Sequence, residues 1–207
     1  MKINKPKIKI NSEFKFGDIL EYEFCNFEIN ENPLRKVVIS NTTIDSCIFR
    51  NIDFDLVEFE DVELLDVIFE NCNLSNKNFD NKFLTRVNFI NCKMTGVSFI
   101  DSSIKDVVFA NCSCRYINFS GSNLSSVKLD SSNMEDGSFI DCFIKGVEFT
   151  DSKFISSTFS NCNLNGVDFR SNNIDGIIMD KYSMKGIIVD TFQCRNIVSN
   201  LGVKVED

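Results

Sequence analysis

From Phe24 to Val189 every fifth residue is apolar, without one exception. Neither common period produces this pattern, because a strand repeats every two residues and an amphipathic helix every 3.6. The phase never slips, so no inserted loop is expected between those two residues, and a fixed short period is the mark of a solenoid. A second register, small or β-branched, stands two residues earlier: Val67, Cys72, Val87, Cys92, Val97, Ser102, Val107, Cys112, Ile117, Ser122 and Val127. Two inward residues flanking one outward residue describe a short extended segment. The next two positions are rich in Asn, Asp, Ser and Gly, which make turns, and Gly and Asn tolerate positive φ. One repeat therefore predicts one short strand and one corner.

The number of corners per lap follows from side-chain size. Three repeats per lap would stack residue i on i+15 and mix phenylalanine with Leu, Ile or Met. Four would stack i on i+20, so that Phe69, Phe89 and Phe109 make one column and Phe79, Phe99, Phe119, Phe139 and Phe159 the opposite one. Leu64, Leu84, Ile104, Leu124, Ile144 and Leu164 form a third column, and Leu74, Met94, Cys114, Met134 and Phe154 a fourth. Columns of like size fill a square interior better than mixed ones. The fold class predicted is all-β, a four-sided parallel β-helix over residues 21–190 of about 8.5 coils, roughly 40 Å long at the usual strand spacing. Its core is Phe69, Phe79, Phe89, Phe99, Phe109, Phe119, Phe139, Phe149, Phe159 and Phe169. Lys77 and Lys82 interrupt the inward register, and Phe83 and Phe143 stand at outward positions. An inward lysine is costly unless its head reaches water, which predicts a local distortion over residues 76–84.

Several functional classes are disfavoured. The net charge of -8 runs against a nucleic-acid ligand, which wants a basic footprint, and favours a basic partner or plain solubility. No apolar run approaches the roughly 20 residues of a membrane helix, and no apolar block follows the early lysines as a signal peptide requires. A cytoplasmic location with reduced thiols is expected of the nine cysteines in a chain of 207 residues. With no histidine, His-dependent triads, bases and zinc sites are removed. No phosphate-binding glycine loop is present, so an enzyme is not expected, nor any cofactor or metal. Cys72, Cys92 and Cys112 fall one coil apart, as do Cys142 and Cys162. Lacking any C-x2-C pair, they read as small buried hydrophobes. Asn71, Asn91 and Asn111 form a corner column, and Asp101, Asp141 and Asn161 another, both read as turn residues bonding along the stack.

Eight carboxylates crowd one stretch: Asp53, Asp55, Glu58, Glu60, Asp61, Glu63, Asp66 and Glu70, with no Lys or Arg from 51 to 76. They are either a solvated surface or a partner-binding acidic surface. At the ends, residues 1–20 carry Lys2, Lys5, Lys7, Lys9 and Lys15 against Glu13 and Asp18, and are an irregular cap or a flexible tail. Residues 191–207 leave the five-residue pattern. There Phe192, Ile197, Val198 and Leu201 are spaced like one helical face and Gly202 suits its stop, giving a cap, or a cap that also dimerises.

These features resemble the pentapeptide-repeat family, whose members form right-handed quadrilateral β-helices. One departure is that Val, Cys and Ser dominate where the family often has Ala. The closing segment, through Gly186, Ile187, Val189, Asp190, Phe192, Gln193, Leu201, Gly202 and Val203, is similar to the quinolone-resistance (Qnr-like) branch. That resemblance implies a homodimer joined through the C-terminal segment, binding DNA gyrase or topoisomerase IV partly as a DNA mimic, without direct nucleic-acid or membrane contact. Branch members best known for drug protection carry protruding loops, which this chain lacks. A structural or adaptor rod unrelated to topoisomerases is the alternative.

Overall fold

A computed structural model describes residues 2–13, 15–16 and 24–206 of the chain. Asp18 and the expected entry into the first coil, residues 17–23, lie outside the described residues. The strands are β1 (Ser12–Glu13), β2 (Phe27–Ile29), β3 (Val37–Arg50), β4 (Val57–Glu70), β5 (Phe83–Ile90), β6 (Ser103–Ala110), β7 (Asn123–Asp130), β8 (Ser138–Ile140), β9 (Phe143–Thr150), β10 (Thr158–Ser160) and β11 (Ile178–Met179). One short helix, α1 (Cys194–Ser199), follows. β1 to β7 and β9 form one parallel sheet, and β8, β10 and β11 a second. From β2 onward each step is twenty residues: Phe49 pairs with Phe69, Phe69 with Phe89, Phe89 with Phe109 and Phe139 with Phe159. Single bridges carry the same step along the remaining sides, as in Asn73 to Lys93 to Ser113 to Asn133. The chain is a four-sided parallel β-helix.

The corners turn through residues with positive φ, mainly Asn, Asp, Ser and Gly, such as Asn71 at 55° and Asn91 at 54°. Their short polar side chains make the left-handed conformation affordable. They also bond to the coil below, Asn71 Nδ2 donating to Asn51 Oδ1 at 3.3 Å and Asn161 Nδ2 to Asp141 Oδ1 at 2.7 Å.

Inside, rings lie over rings. Phe69 and Phe89 have centroids 5.1 Å apart and planes inclined by 7°, and Phe99 and Phe119 are 5.1 Å apart at 6°. The two columns meet edge to face, Phe99 against Phe109 at 6.1 Å and 84°, so each ring joins an offset stack and a T-shaped contact, both favourable for the aromatic quadrupole. Leu129 interrupts the first column, and above it Phe149 tilts onto Phe154 at 4.8 Å. The cysteines do more than fill space. The thiols of Cys72, Cys92 and Cys112 donate to the carbonyls of Phe49, Phe69 and Phe89 at 3.4 Å, and at the same position of later coils Ser132 and Ser152 hydroxyls donate to Phe109 and Leu129. Cys and Ser alternate there because both are small donors.

Two expectations are corrected. Leu34 belongs to the apolar register but is fully exposed, and Phe16 takes its place, its ring 6.3 Å from that of Phe54, the residue twenty positions after Leu34. A ring covers more of Phe54 than an isobutyl group would. The distortion expected at residues 76–84 is also absent. Lys77 and Lys82 sit in regular coils, with backbone bonds from Ser98 N to Lys77 O and from Ser103 N to Lys82 O. Their heads bend back to acceptors one coil below: Lys77 Nζ donates to Val57 O at 2.8 Å, and Lys82 Nζ pairs with Asp61 at 2.8 Å. Each ammonium thus finds a partner without the backbone giving way.

At its first corner the last lap carries one extra residue, so that Ser183 Oγ accepts from Cys162 N, and the twenty-residue step is regained where Ile188 bridges Asp168. Asp180 pins this lap by accepting from Ser183 N, Asn161 N and Ser160 Oγ at 2.7, 2.9 and 3.2 Å. The amide of Ser183, then that of Asn161, hold its carboxyl down to about 2. A depressed carboxyl contributes stability above the unfolded value near about 4 and loses it as pH falls through the folded value. Urea midpoints of the wild type should therefore approach those of Asp180→Asn as pH drops from about 4 toward 2, and a constant gap would refute the assignment. Phe99→Ala, which removes a ring touching four others, should cost about 3–5 kcal/mol in urea unfolding.

Candidate interaction surfaces

The eight carboxylates of the acidic stretch occupy one lap, and the four sides divide them. In order, Asp53 and Asp55, Glu58 and Glu60, Asp61 and Glu63, and Asp66 and Glu70 fall on successive sides, so they form a belt and not one face. Half of the belt is neutralised from within the chain. Glu58 pairs with Lys36 at 2.8 Å, Asp61 with Lys82, and Glu70 with Arg50, which also reaches Glu28 at 2.8 Å. Asp53 accepts from Asp55 N at 3.0 Å and Asn73 Nδ2 at 3.2 Å. Asp55, Glu60 and Glu63 have no ion pair among the described residues. Asp66 is not surface at all, being 4% exposed.

Another grouping appears only once residues twenty apart are superposed. The corner that follows Glu58 and Glu60 carries Asp61, Asp101 and Asp141, with Asn81 and Gly121 on the coils between, a line of carboxylates on alternate coils of the rod. The next corner, across one side, carries Lys105, Lys145 and Lys185. In the linear sequence these residues are scattered, and only the lap length reveals the two lines.

Asp66 is buried by the N-terminal segment, whose residues 4–11 lie along the rod as a strap while Phe16 covers Phe54 at its end. Asn4 donates to Asp106 through its backbone N at 3.2 Å and Nδ2 at 3.0 Å, Lys7 N donates to Asp66 Oδ1 at 2.7 Å, and Asn11 N donates to Asn26 O at 2.8 Å. Those three anchors span four coils, about 19 Å at strand spacing, within reach of seven extended residues at about 23 Å. Between them Arg86 clamps Asp66 with two bonds of 2.6 Å. Burial pushes the Asp66 carboxyl up, but the Arg86 hydrogen bonds and the Lys7 amide outweigh it and leave it below the usual carboxylate range. The alternation of Lys7, Ile8, Lys9 and Ile10 is the trace this strap leaves in the sequence.

At the other end α1 lies across the final coil. Gln193 Nε2 donates to the carbonyls of Phe169 and Asn172 at 2.8 and 2.7 Å, and Asn200 takes Met179 N and gives to Ile177 O at 2.9 and 3.0 Å. These amides satisfy backbone groups that a bare last coil would leave open. Of the expected apolar face, Ile197 packs on the core and Val198 is half-buried, while Phe192 is 89% and Leu201 51% exposed.

Removing Asp66 strands a guanidinium under the strap, so Asp66→Ala should cost about 3 kcal/mol or more. Asp66→Ala/Arg86→Ala should cost less than the sum of the single changes in urea unfolding, because the pair acts as one unit.

A family model described as a pentapeptide repeat region matches residues 62–139, and one for pentapeptide repeats matches 138–170 and 148–180. Among curated proteins no sequence matches this chain. Among solved structures, full-length QnrB1, a plasmid-mediated fluoroquinolone resistance protein, is similar at 17% identity over 95% of this chain and 97% of its own, with a TM-score of 0.46. AT2G44920, a pentapeptide repeat protein of the Arabidopsis thaliana thylakoid lumen, is 26% identical over 42% of this chain and 61% of its own, with a TM-score of 0.41. HetL of Nostoc, involved in heterocyst differentiation regulation, is 13% identical over 79% of this chain and 91% of its own, with a TM-score of 0.31. With its twenty-residue laps, its filled interior and its repeats matched over residues 62–180, this chain belongs to the pentapeptide-repeat family.

Proposed function

We propose that this chain is a non-enzymatic cytoplasmic rod that dimerises through its C-terminal segment and engages a type II topoisomerase, DNA gyrase or topoisomerase IV, on the surface that otherwise receives duplex DNA. The observation that carries this reading is the line of carboxylates at one corner, Asp61, Asp101 and Asp141, repeated on alternate coils of the rod. Carboxylates set at regular two-coil spacing on a rigid body steer it toward a basic groove. Their density is well below that of duplex DNA, with its charge about every 1.7 Å, so the line supplies orientation and association rate while other contacts supply affinity. The similarity of the closing segment to the Qnr-like branch supports the choice of partner. The end of the rod supports the dimer, since Gln193 and Asn200 already close the last coil and leave Phe192 and Leu201 as surplus apolar surface.

In a supercoiling assay with purified gyrase, the protein should inhibit at low micromolar concentration, and Asp101→Asn/Asp141→Asn should weaken inhibition several-fold, more so at low salt. No inhibition and no protection from a fluoroquinolone would favour the adaptor rod. Phe192→Ser/Leu201→Ser should shift sedimentation from dimer to monomer with little change in melting temperature, because neither side chain is buried in the single chain.

A further inference from the structure

Two large aromatic side chains stand outside the filled interior on one side of the rod. Phe83, at the start of β5, is 57% exposed, and Phe143, at the start of β9, is 61% exposed. They share one outward column, for Phe83 pairs with Ser103, Ser103 with Asn123 and Asn123 with Phe143. Three coil steps separate them, about 14 Å. Isolated exposed apolar residues are ordinary. What distinguishes this side is its pair of borders. The corner before it carries Asp101 and Asp141, and the corner after it carries Lys105 and Lys145, which have no ion pair among the described residues. The coils of Asp101 and Asp141 thus each present an acid, a flat side and a base, in that order, with the neutral Gly121 and Ser125 on the coil between them.

We propose that this side is a self-association surface on which a second copy of the chain docks with the rods parallel and in register. Symmetry selects that arrangement. A twofold axis running along the rods, midway between the two sides, exchanges the borders, setting Asp101 and Asp141 of each copy against Lys105 and Lys145 of the other. The same axis passes by the central column, so Phe83 meets its own copy and Phe143 its own. The antiparallel arrangement, with the axis across the rods, sets acid against acid and base against base, which like-charge repulsion opposes. An isologous contact of this kind closes at two copies. The side measures about 40 by 10 Å at strand geometry, half or less of the roughly 800 Å² per partner of a standard interface. The pairing is therefore concentration-dependent. It uses the flank of the rod, and the C-terminal contact proposed above uses its end.

Full-length protein with a photo-crosslinking benzoylphenylalanine in place of the exposed Asn123 tests the inference. At high concentration (about 100 μM, suited to so small an interface) irradiation should join two copies, with mass spectrometry mapping the second site to the same side near residue 123. Phe83→Ser/Phe143→Ser should lower the crosslink yield at least several-fold with the far-ultraviolet circular dichroism unchanged. Lys105→Glu/Lys145→Glu and Asp101→Lys/Asp141→Lys should each lower it alone, and an equimolar mixture of the two should restore it. Arg86 and Tyr116 hold positive φ at 53° and 60° on other corners, so the left-handed corner conformation is compatible with side chains longer than aspartate. A crosslink that maps to another side or to the C-terminal segment, or no crosslink at all, overturns the proposal. So does a yield that survives removal of both phenylalanines.

Discussion

Every other feature of this protein depends on the stacking of identical residues at one coil spacing. A ring 5.0–5.3 Å above its equivalent is close to the backbone separation of paired strands, so side-chain contact and ladder hydrogen bonds are satisfied by the same twenty-residue step. A lap of another length would lose both together. Such coupling makes the solenoid a nearest-neighbour structure, each lap stabilised by the laps above and below. Hence its ends need separate solutions: Phe16 covers Phe54 at one end, and Gln193 and Asn200 close backbone groups at the other.

The regular ladder also explains how the chain tolerates residues that do not suit its interior. Lys77 and Lys82 keep their backbones in register because a coil below always offers an acceptor at the same height, a carbonyl in one case and Asp61 in the other. Cysteine and serine exchange freely one residue before each outward position because each needs only to be small and to donate to a carbonyl. The stack thus accepts chemical variety wherever the next lap can answer it.

Function on such a body has to be written on its outside. Because residues twenty apart share a column, a corner can acquire a line of like charge, and two corners of opposite sign can flank one side. The belt of carboxylates that looks dense in the linear chain is by contrast dispersed around a lap and partly neutralised by Lys36, Arg50, Lys82 and Arg86. Density along a chain and density on a surface are different quantities in a solenoid.

The fold was legible from the sequence because periodicity is a local property that the eye can follow along the chain. The apolar fifth residue set the strand and corner, and the alternation of phenylalanine with aliphatic residues set four sides per lap. That α1 would follow the last repeat was legible for the same reason, from the end of the period. What only the tertiary structure decided were the contacts between segments far apart in the chain. Nothing local tells that Asn4 and Lys7 bind Asp106 and Asp66, that Phe16 displaces Leu34, or that Ile197 turns inward while Phe192 turns out. Those outcomes depend on which surfaces meet once the coil is wound, and a repeat carries no information about the non-repeating segments that lie across it.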